Sequence, residues 1–448
     1  MMNQRNSITE GIIWKQLLLF CFPIMLGTLF QQLYNAVDVI VVGQFVGEKA
    51  LASVGASSQI VNMIVNLFVG ISSGTTVIVS RFYGGNDFSK LKKAMDTSII
   101  IAFVGGIIFS VLGFIFTPLF LELLKTPTEI IKDSILYLRI YFSGLIFIFI
   151  YNIASSILRA MGDSKRPLYY LIICCFVNIF LDIILVIIFH LGVMGVALAT
   201  IIAQAISCYF VIKALMNLNE AYRFIFRNIH FHQEIFNSIC YIGFPAGFQS
   251  FMNSLSSLLM ASAINVLGTN AVAGNTAYAK LDGIFWMIST AFSVAIATFV
   301  GQNFGAKKYD RMKKSIWVCL GLDIGLSIGL SFFFLICGPL LFYLFTNNSK
   351  VILRGMEVLK AIAPYYGLVA FYEIFTSALR GMDDVIIPMI INIIGLCIIR
   401  ILWILLIVPK HQSLYVIILS CPISWFITAI LLIIYFLYKY RKFNKSYN

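Results

Sequence analysis

Apolar runs of about twenty residues or longer follow one another along almost the whole 448-residue chain. A helix needs roughly 20 residues to cross a hydrocarbon core of about 30 Å, so each run is a candidate crossing. There are twelve, near residues 14–42, 51–79, 95–120, 135–158, 167–190, 193–215, 235–266, 275–301, 315–345, 354–379, 386–408 and 413–438. Charged residues make up only 11% of the chain, against about 25% in an ordinary soluble domain. The expected fold is an all-α integral membrane protein with twelve transmembrane helices.

The basic residues give an expected orientation. Lys90, Lys92 and Lys93, then Lys165 and Arg166, then the cluster from Lys307 to Lys314, fall in alternate connections, and Lys439 to Lys445 close the chain. The opposite loops hold few, such as Lys49, Lys125 and Lys410. Lys- and Arg-rich loops stay in the cytoplasm, which places both termini there and the protein in the cell (plasma) membrane. The net charge of +13 is then a topology signal and a contact for anionic lipid, not a nucleic-acid surface. The nine cysteines lie in apolar segments, with no CxxC pair and no Cys/His cluster. Neither disulfides nor a dedicated metal site is expected.

The chain is also written twice. "VGEKALASVGA" (46–56) overlies "LGTNAVAGNTA" (267–277), and "FYGGNDFSKLKK" (82–93) overlies "NFGAKKYDRMKK" (303–314). At the same offset "SSILRAMGDSKRP" (155–167) overlies "TSALRGMDDVIIP" (376–388). Chance likeness between apolar helices exchanges Leu for Ile; it does not keep Arg, Asp, Pro and paired Lys in register. Each half holds six runs, an even number, so both halves enter the membrane from one side. The expectation is a parallel, same-topology repeat of two six-helix lobes, 1–216 and 235–448, joined by a cytoplasmic linker at 217–234. Transporters built from such halves hold cargo between the lobes and alternate access by rocking them.

Apart from Asp96 and Glu357 in the first turn of their runs, five acids fall inside the runs: Asp38, Asp182, Asp282, Asp323 and Glu373. A charge at mid-bilayer costs on the order of 3 kcal/mol even on lenient scales, so it normally faces a cavity or a partner. Asp38 ends a stripe of Thr28, Gln31, Asn35 and Asp38, spaced as one helix face. Asn178 and Asp182 are i, i+4 neighbours in the fifth run. Asp182 lies about 22 Å from the cytoplasmic entry of its run and Thr200 about 12 Å from the outer entry of the next, so the two share a depth. Asn178 and Thr200 alone read equally well as interhelical hydrogen-bonding groups. Two carboxylates without a basic neighbour point instead to an ion site. Burial and mutual repulsion suit such a pair to take up and release a proton. Oxygens of Asp, Asn and Thr equally suit sodium, so the ion stays open between H+ and Na+. The counterparts in the other half are Leu259 or Met260 for Asp38 and Trp403 for Asp182. The fold itself therefore does not require these acids.

The remaining polar positions divide between structure and cargo. Asp282 follows Lys280 by two residues, which allows a local ion pair or a substrate contact. Glu373 overlies Asn152, each preceded by a tyrosine (Tyr372 and Tyr151). Both read as cavity-lining, and Glu373 suits a cationic cargo. Asp323 has no polar stripe around it and is expected to be peripheral. Arg400 is read as the lone buried base, with Glu373 or a backbone carbonyl as its candidate partner. The pairs Arg159/Asp163 and Arg380/Asp384, spaced i, i+4 at helix ends, read as structural. Met287 and its fellow methionines suit either plain packing or an adaptable apolar cavity.

Several motifs point to one family. "FP" opens the first and seventh runs (22–23 and 244–245), and Asp38 to Gly43 reads D-x-x-x-V-G. "LRAMGD…P" and "LRGMDD…P" pair across the halves, Asn178 and Asp182 read N-x-x-x-D, and "GVALAT" occupies 195–200. With twelve runs in two halves, the chain resembles the multidrug and toxic compound extrusion (MATE) family over essentially its whole length. The resemblance implies export of cationic or amphipathic organic compounds against inward protons or sodium. It also implies that the coupling ion is carried by Asp38, Asn178, Asp182 and Thr200. Some sodium-driven members use second-lobe carboxylates in the seventh and tenth helices; this chain has Asn253 in the seventh and Glu373 in a shifted register in the tenth.

No GxSxG elbow, P-loop or HExxH occurs, so neither an enzyme nor an ATP-driven pump is expected. The nearest rival is a flippase for lipid or lipid-linked saccharide from the same broad superfamily. Twelve crossings and few buried Lys or Arg favour the exporter. A channel would need a filter-like Gly-rich loop at mid-membrane. The expectation is a monomeric secondary active transporter with no cofactor beyond its coupling ion. Its partners are drug-like small molecules and membrane lipid, with no nucleic acid.

Overall fold

The computed structural model describes residues 7–123 and 126–447. Lys125, one of the loop lysines used for orientation, lies outside the described residues, and so does the side chain of Lys445. Regular structure among the described residues is helical. The first half runs through α1 (Ile13–Val41), α2 (Glu48–Gly84), α3 (Phe88–Leu123), α4 (Ile131–Ser143), α5 (Leu145–Ala160), α6 (Lys165–Asp182) and α7 (Gly192–Met216). The second runs through α8 (Gln233–Asn265), α9 (Thr269–Gly305), α10 (Tyr309–Tyr343), α11 (Ser349–Ile362) and α12 (Tyr366–Gly381), then α13 (Ile386–Asn392), α14 (Ile399–Leu406) and α15 (Leu414–Tyr447).

Ten helical spans among the described residues are long and apolar enough to cross a membrane, and eleven if α4 and α5 form one span bent by 46°. The expected count of twelve is therefore not reached on apolar length alone. The missing run is α8. Its 33 residues would extend about 50 Å, but Asn237, Gln249, Asn253 and several serines dilute its apolar character.

The duplication reaches the backbone. Helices α2 and α9 are each 37 residues long, and they start after Gly47 (φ 115°) and Gly268 (φ 93°). Positive φ also recurs at the matched positions Asn86 and Lys307, and at Gly162 and Asp383. The glycines make the sharp entries to α2 and α9 without the Cβ clash that an L side chain would meet there.

Two compact units emerge, one of Phe22–Gly247 and one of the residues up to Cys21 with those from Phe248 onward. Their boundaries fall inside α1 and α8. Two local causes are visible. Within the first unit, a Cβ on Gly70 would lie 2.3 Å from Gly247 Cα, and one on Gly74 would lie 2.4 Å from Ile239 O. Glycines four apart on both helices thus let the start of α8 lie directly on α2. Within the second unit, Arg311 holds the N-terminal segment. Its Nε donates to Ile8 O (3.0 Å), Nη1 to Gly11 O (2.7 Å), and Nη2 to Glu10 O (2.7 Å) and Gln16 Oε1 (2.8 Å). Lys308 Nζ adds a bond to Thr9 O at 2.9 Å.

Hydrogen bonds from a charged donor are worth about 1.5–3 kcal/mol each when buried, and less here because the group is partly exposed. Arg311→Ala is expected to raise the rate of tryptic cleavage after Lys15 by roughly tenfold, the equivalent of about 1.4 kcal/mol. Unchanged cleavage would show that α1 packing alone secures the segment.

Candidate functional site

The ion-coupling candidates converge in the unit Phe22–Gly247. Asp38 on α1 lies one turn before a π turn at Val42–Val46, and Asp182 ends α6 where a second π turn, Ile183–Ile188, begins. Such wide turns interrupt the regular ladder and are frequent at functional sites. Asn178 and Asp182 are fully buried, while Asp38 and Thr200 are 7% and 6% exposed. Asp38 interacts with Asp182, Asn178 and Thr200 together. Thr200 Oγ1 stands 3.5 Å from Asp38 Oδ2 and 3.1 Å from Val196 O, and its single proton serves only one of them at a time.

The other polar atoms of the cluster are unsatisfied. Asp38 Oδ1, both carboxylate oxygens of Asp182 and both amide atoms of Asn178 are buried without a hydrogen-bond partner. A buried polar atom left unpaired costs about 1–3 kcal/mol, and more when charged. Two carboxylates gathered with amide and hydroxyl oxygens in a dry site are chemically suited to share a proton or hold a small hard cation.

All four residues expected to act together are together. Of the stripe before Asp38, Gln31 and Asn35 are exposed, and the buried companion of Asp38 is instead Tyr34, which accepts a bond from Gln204 Nε2 at 3.4 Å. Tyr137 and Tyr141 stack at 6.2 Å within electrostatic reach of Asp38. Sequence reading missed these three tyrosines. The i, i+4 spacing of Tyr137 and Tyr141, and the place of Tyr34 one turn before Asp38, were the available signals.

Asn152 donates to Ile148 O at 2.8 Å and lines an apolar cavity of about 140 Å³ in the same unit, with Phe68, Phe109 and Phe149.

The unit that begins again at Phe248 holds a different polar cavity, of about 190 Å³. Asn253, Asp282 and Tyr372 line it, whereas Met287 and Glu373 lie outside. Asp282 does not pair with Lys280. Its Oδ1 accepts from the Tyr278 and Tyr366 hydroxyls, each at 2.8 Å, and its Oδ2 from Trp286 Nε1 at 3.0 Å. Tyr278 and Trp286 lie one turn either side of Asp282 on α9, so the helix supplies two of the three donors.

Asp323 is not peripheral. It is fully buried with neither oxygen hydrogen-bonded, and it heads a buried face of Asp323, Ser327 and Ser331 spaced one helical turn apart. It lies within electrostatic reach of Glu373. Glu373 Oε2 accepts from Ser293 Oγ at 3.0 Å, and its basic neighbour is Arg380. Among the described residues Arg400 pairs neither with Glu373 nor with a carbonyl; its Nη2 donates to Ser424 Oγ at 3.2 Å.

The helix-end pairs also differ from expectation. Asp163 pairs with Arg166 at 2.9 Å and accepts from the Lys165 and Arg166 amides, capping α6. Asp384 pairs with Lys439 at 2.7 Å. Both carboxylates serve the start of the next helix or a distant one, and the arginines four residues earlier turn elsewhere: Arg159 Nη2 donates to Ser156 Oγ at 3.1 Å, and Arg380 lies within electrostatic reach of Glu373.

Comparison with known proteins settles the family. The MatE family profile matches residues 23–184 and again 245–406. The chain belongs to the MatE family. A probable multidrug resistance protein, YpnP of Bacillus subtilis, is 28% identical over 398 residues, covering 88% of each chain. A FAD transporter of Shewanella oneidensis is 23% identical, again over 88% of each. An outward-facing multidrug resistance MATE transporter of the MOP superfamily superposes with a TM-score of 0.90 at 20% identity, covering 98% of both chains. This MatE chain is accordingly a multi-pass membrane transporter of the multidrug efflux family, not an enzyme.

Proposed function

We propose that the protein is a secondary active antiporter that exports cationic and other amphipathic organic compounds in exchange for inward protons or sodium. The observation that carries this reading is the buried cluster of Asp38, Asp182, Asn178 and Thr200, with its unsatisfied oxygens. In this reading α8 supplies a twelfth crossing despite its polar residues. The two halves share one topology, and both termini lie in the cytoplasm of a plasma-membrane protein. Rocking of the halves gives alternating access, the working unit is a monomer, and anionic lipid meets the basic loops. Cargo is drug-like, and the coupling ion is the only inorganic partner.

The test is efflux of a fluorescent organic cation from proteoliposomes with proton and sodium gradients imposed separately. Efflux accelerated at least tenfold by one of the gradients supports antiport. Efflux that follows the cargo gradient alone, whichever ion gradient is applied, contradicts it.

A further inference from the structure

Arg400, on α14, is 8% exposed and lines the 190 Å³ cavity of the second unit. Its bond to Ser424 leaves Nε without a partner. Among the described residues no carboxylate lies at ion-pairing distance from it. The two acids nearest in role are otherwise engaged. Asp282, in the same cavity, already accepts three bonds from Tyr278, Tyr366 and Trp286. Glu373 is bonded to Ser293 outside the cavity.

A buried charge without a counter-charge is strongly unfavourable, so a guanidinium kept in this state is suited to a partner that arrives from outside. Its planar fork matches a carboxylate, sulfonate or phosphate through two parallel bonds. The remaining walls include Trp286, Trp425 and Tyr372, flat faces on which an aromatic ring stacks.

We propose that this cavity is a cargo subsite in which Arg400 binds the anionic group of an aromatic compound while the tryptophan and tyrosine rings hold its body. The proposal rests on the transporter reading but widens its cargo from cations to aromatic anions. Asp282, held by its three donors, then helps to set where the ring lies and repels an anion misplaced toward α9.

The test is calorimetric titration of the full-length protein in lipid nanodiscs, with empty discs as the blank and no ion gradient. The probes are 2-naphthoate, its neutral analogue 2-naphthamide, and 2-naphthylmethylammonium. Wild type is expected to bind the carboxylate at least tenfold more tightly than the amide. Arg400→Gln is expected to remove that preference while still binding the amide, which shows that the cavity remains folded. Arg400→Lys keeps the charge but loses the fork and is expected to retain part of it. Equal affinity of wild type for carboxylate and amide overturns the proposal. So does a preference that survives Arg400→Gln, and so does tightest binding by the ammonium probe. Because binding is read without a gradient, absence of ion-driven efflux would defeat the antiport reading and leave this result standing.

Discussion

Asp182→Asn is expected to give a folded, inserted protein whose gradient-driven efflux falls by a hundredfold or more. The first half of that statement follows from the hydrogen bonds. Neither oxygen of Asp182 makes one, so the substitution breaks no hydrogen bond. Asn has nearly the same shape, and its amide can meet Asp38 or Asn178. The second half follows from charge. With Asp38 as the only acid, the site loses the carboxylate pair that lets it bind and release a cation during a cycle. A hundredfold loss corresponds to about 2.7 kcal/mol, within what removal of one charged ligand from a dry site costs. Transport and thermal unfolding measured on the same preparation check both halves. Wild-type coupled transport by Asp182→Asn would exclude this cluster as the coupling site.

Gly74→Leu is expected to abolish the folded protein or lower its melting temperature by many degrees. The new side chain would begin 2.4 Å from Ile239 O and 2.8 Å from Gly243 N, against backbone that cannot rotate aside. Overpacking typically costs about 1–3 kcal/mol, and more where backbone must move. Close helix contact through small residues is also a main source of association in lipid, where apolar packing has no water to escape. Gly325→Leu is the matched control, since nothing lies within 4 Å of the Cβ it would add. The expected readout is aggregation or loss of the monodisperse peak for Gly74→Leu and an unaltered peak for Gly325→Leu. A well-behaved Gly74→Leu protein would show that α2 and α8 do not depend on this contact.

The buried cluster of Asp38, Asn178, Asp182 and Thr200 was legible in the sequence because each of its parts is costly. A carboxylate in a run that must be apolar is conspicuous, and helical spacing ties Asn178 to Asp182. The depth argument that joined Thr200 to them needed only the rise of a helix. The second unit was less legible for a physical reason. Its acids lie among residues that look like ordinary core: Asp323 shares a buried face with Ser327 and Ser331, which are small enough to pass as packing. Asp282 is held by Tyr366, which approaches from a different helix. The contrast between halves accordingly holds position by position. Leu259 or Met260 stands where Asp38 stands in the first half and Trp403 where Asp182 stands, and Trp403 donates to Val416 O at 2.9 Å. The second half nevertheless holds Asp282, Asp323 and Glu373 at sites of its own, with Asp323 fully buried.

The unit boundaries were hidden for another reason. The compact units follow helix contacts. Gly70 and Gly74 on α2, with Gly243 and Gly247 on α8, were visible as small residues four apart. Which helix they meet is a property of the fold.

Coupling is reciprocal: if an inward ion drives cargo out, cargo flow must move the ion the other way. The most direct measurement is therefore ion movement in proteoliposomes driven by an imposed cargo gradient alone, recorded by internal pH and by sodium flux. Wild type is expected to carry one of the two ions opposite to the cargo in a fixed ratio, and Asp182→Asn to carry neither. Cargo flux in wild type with no movement of proton or sodium would contradict the account.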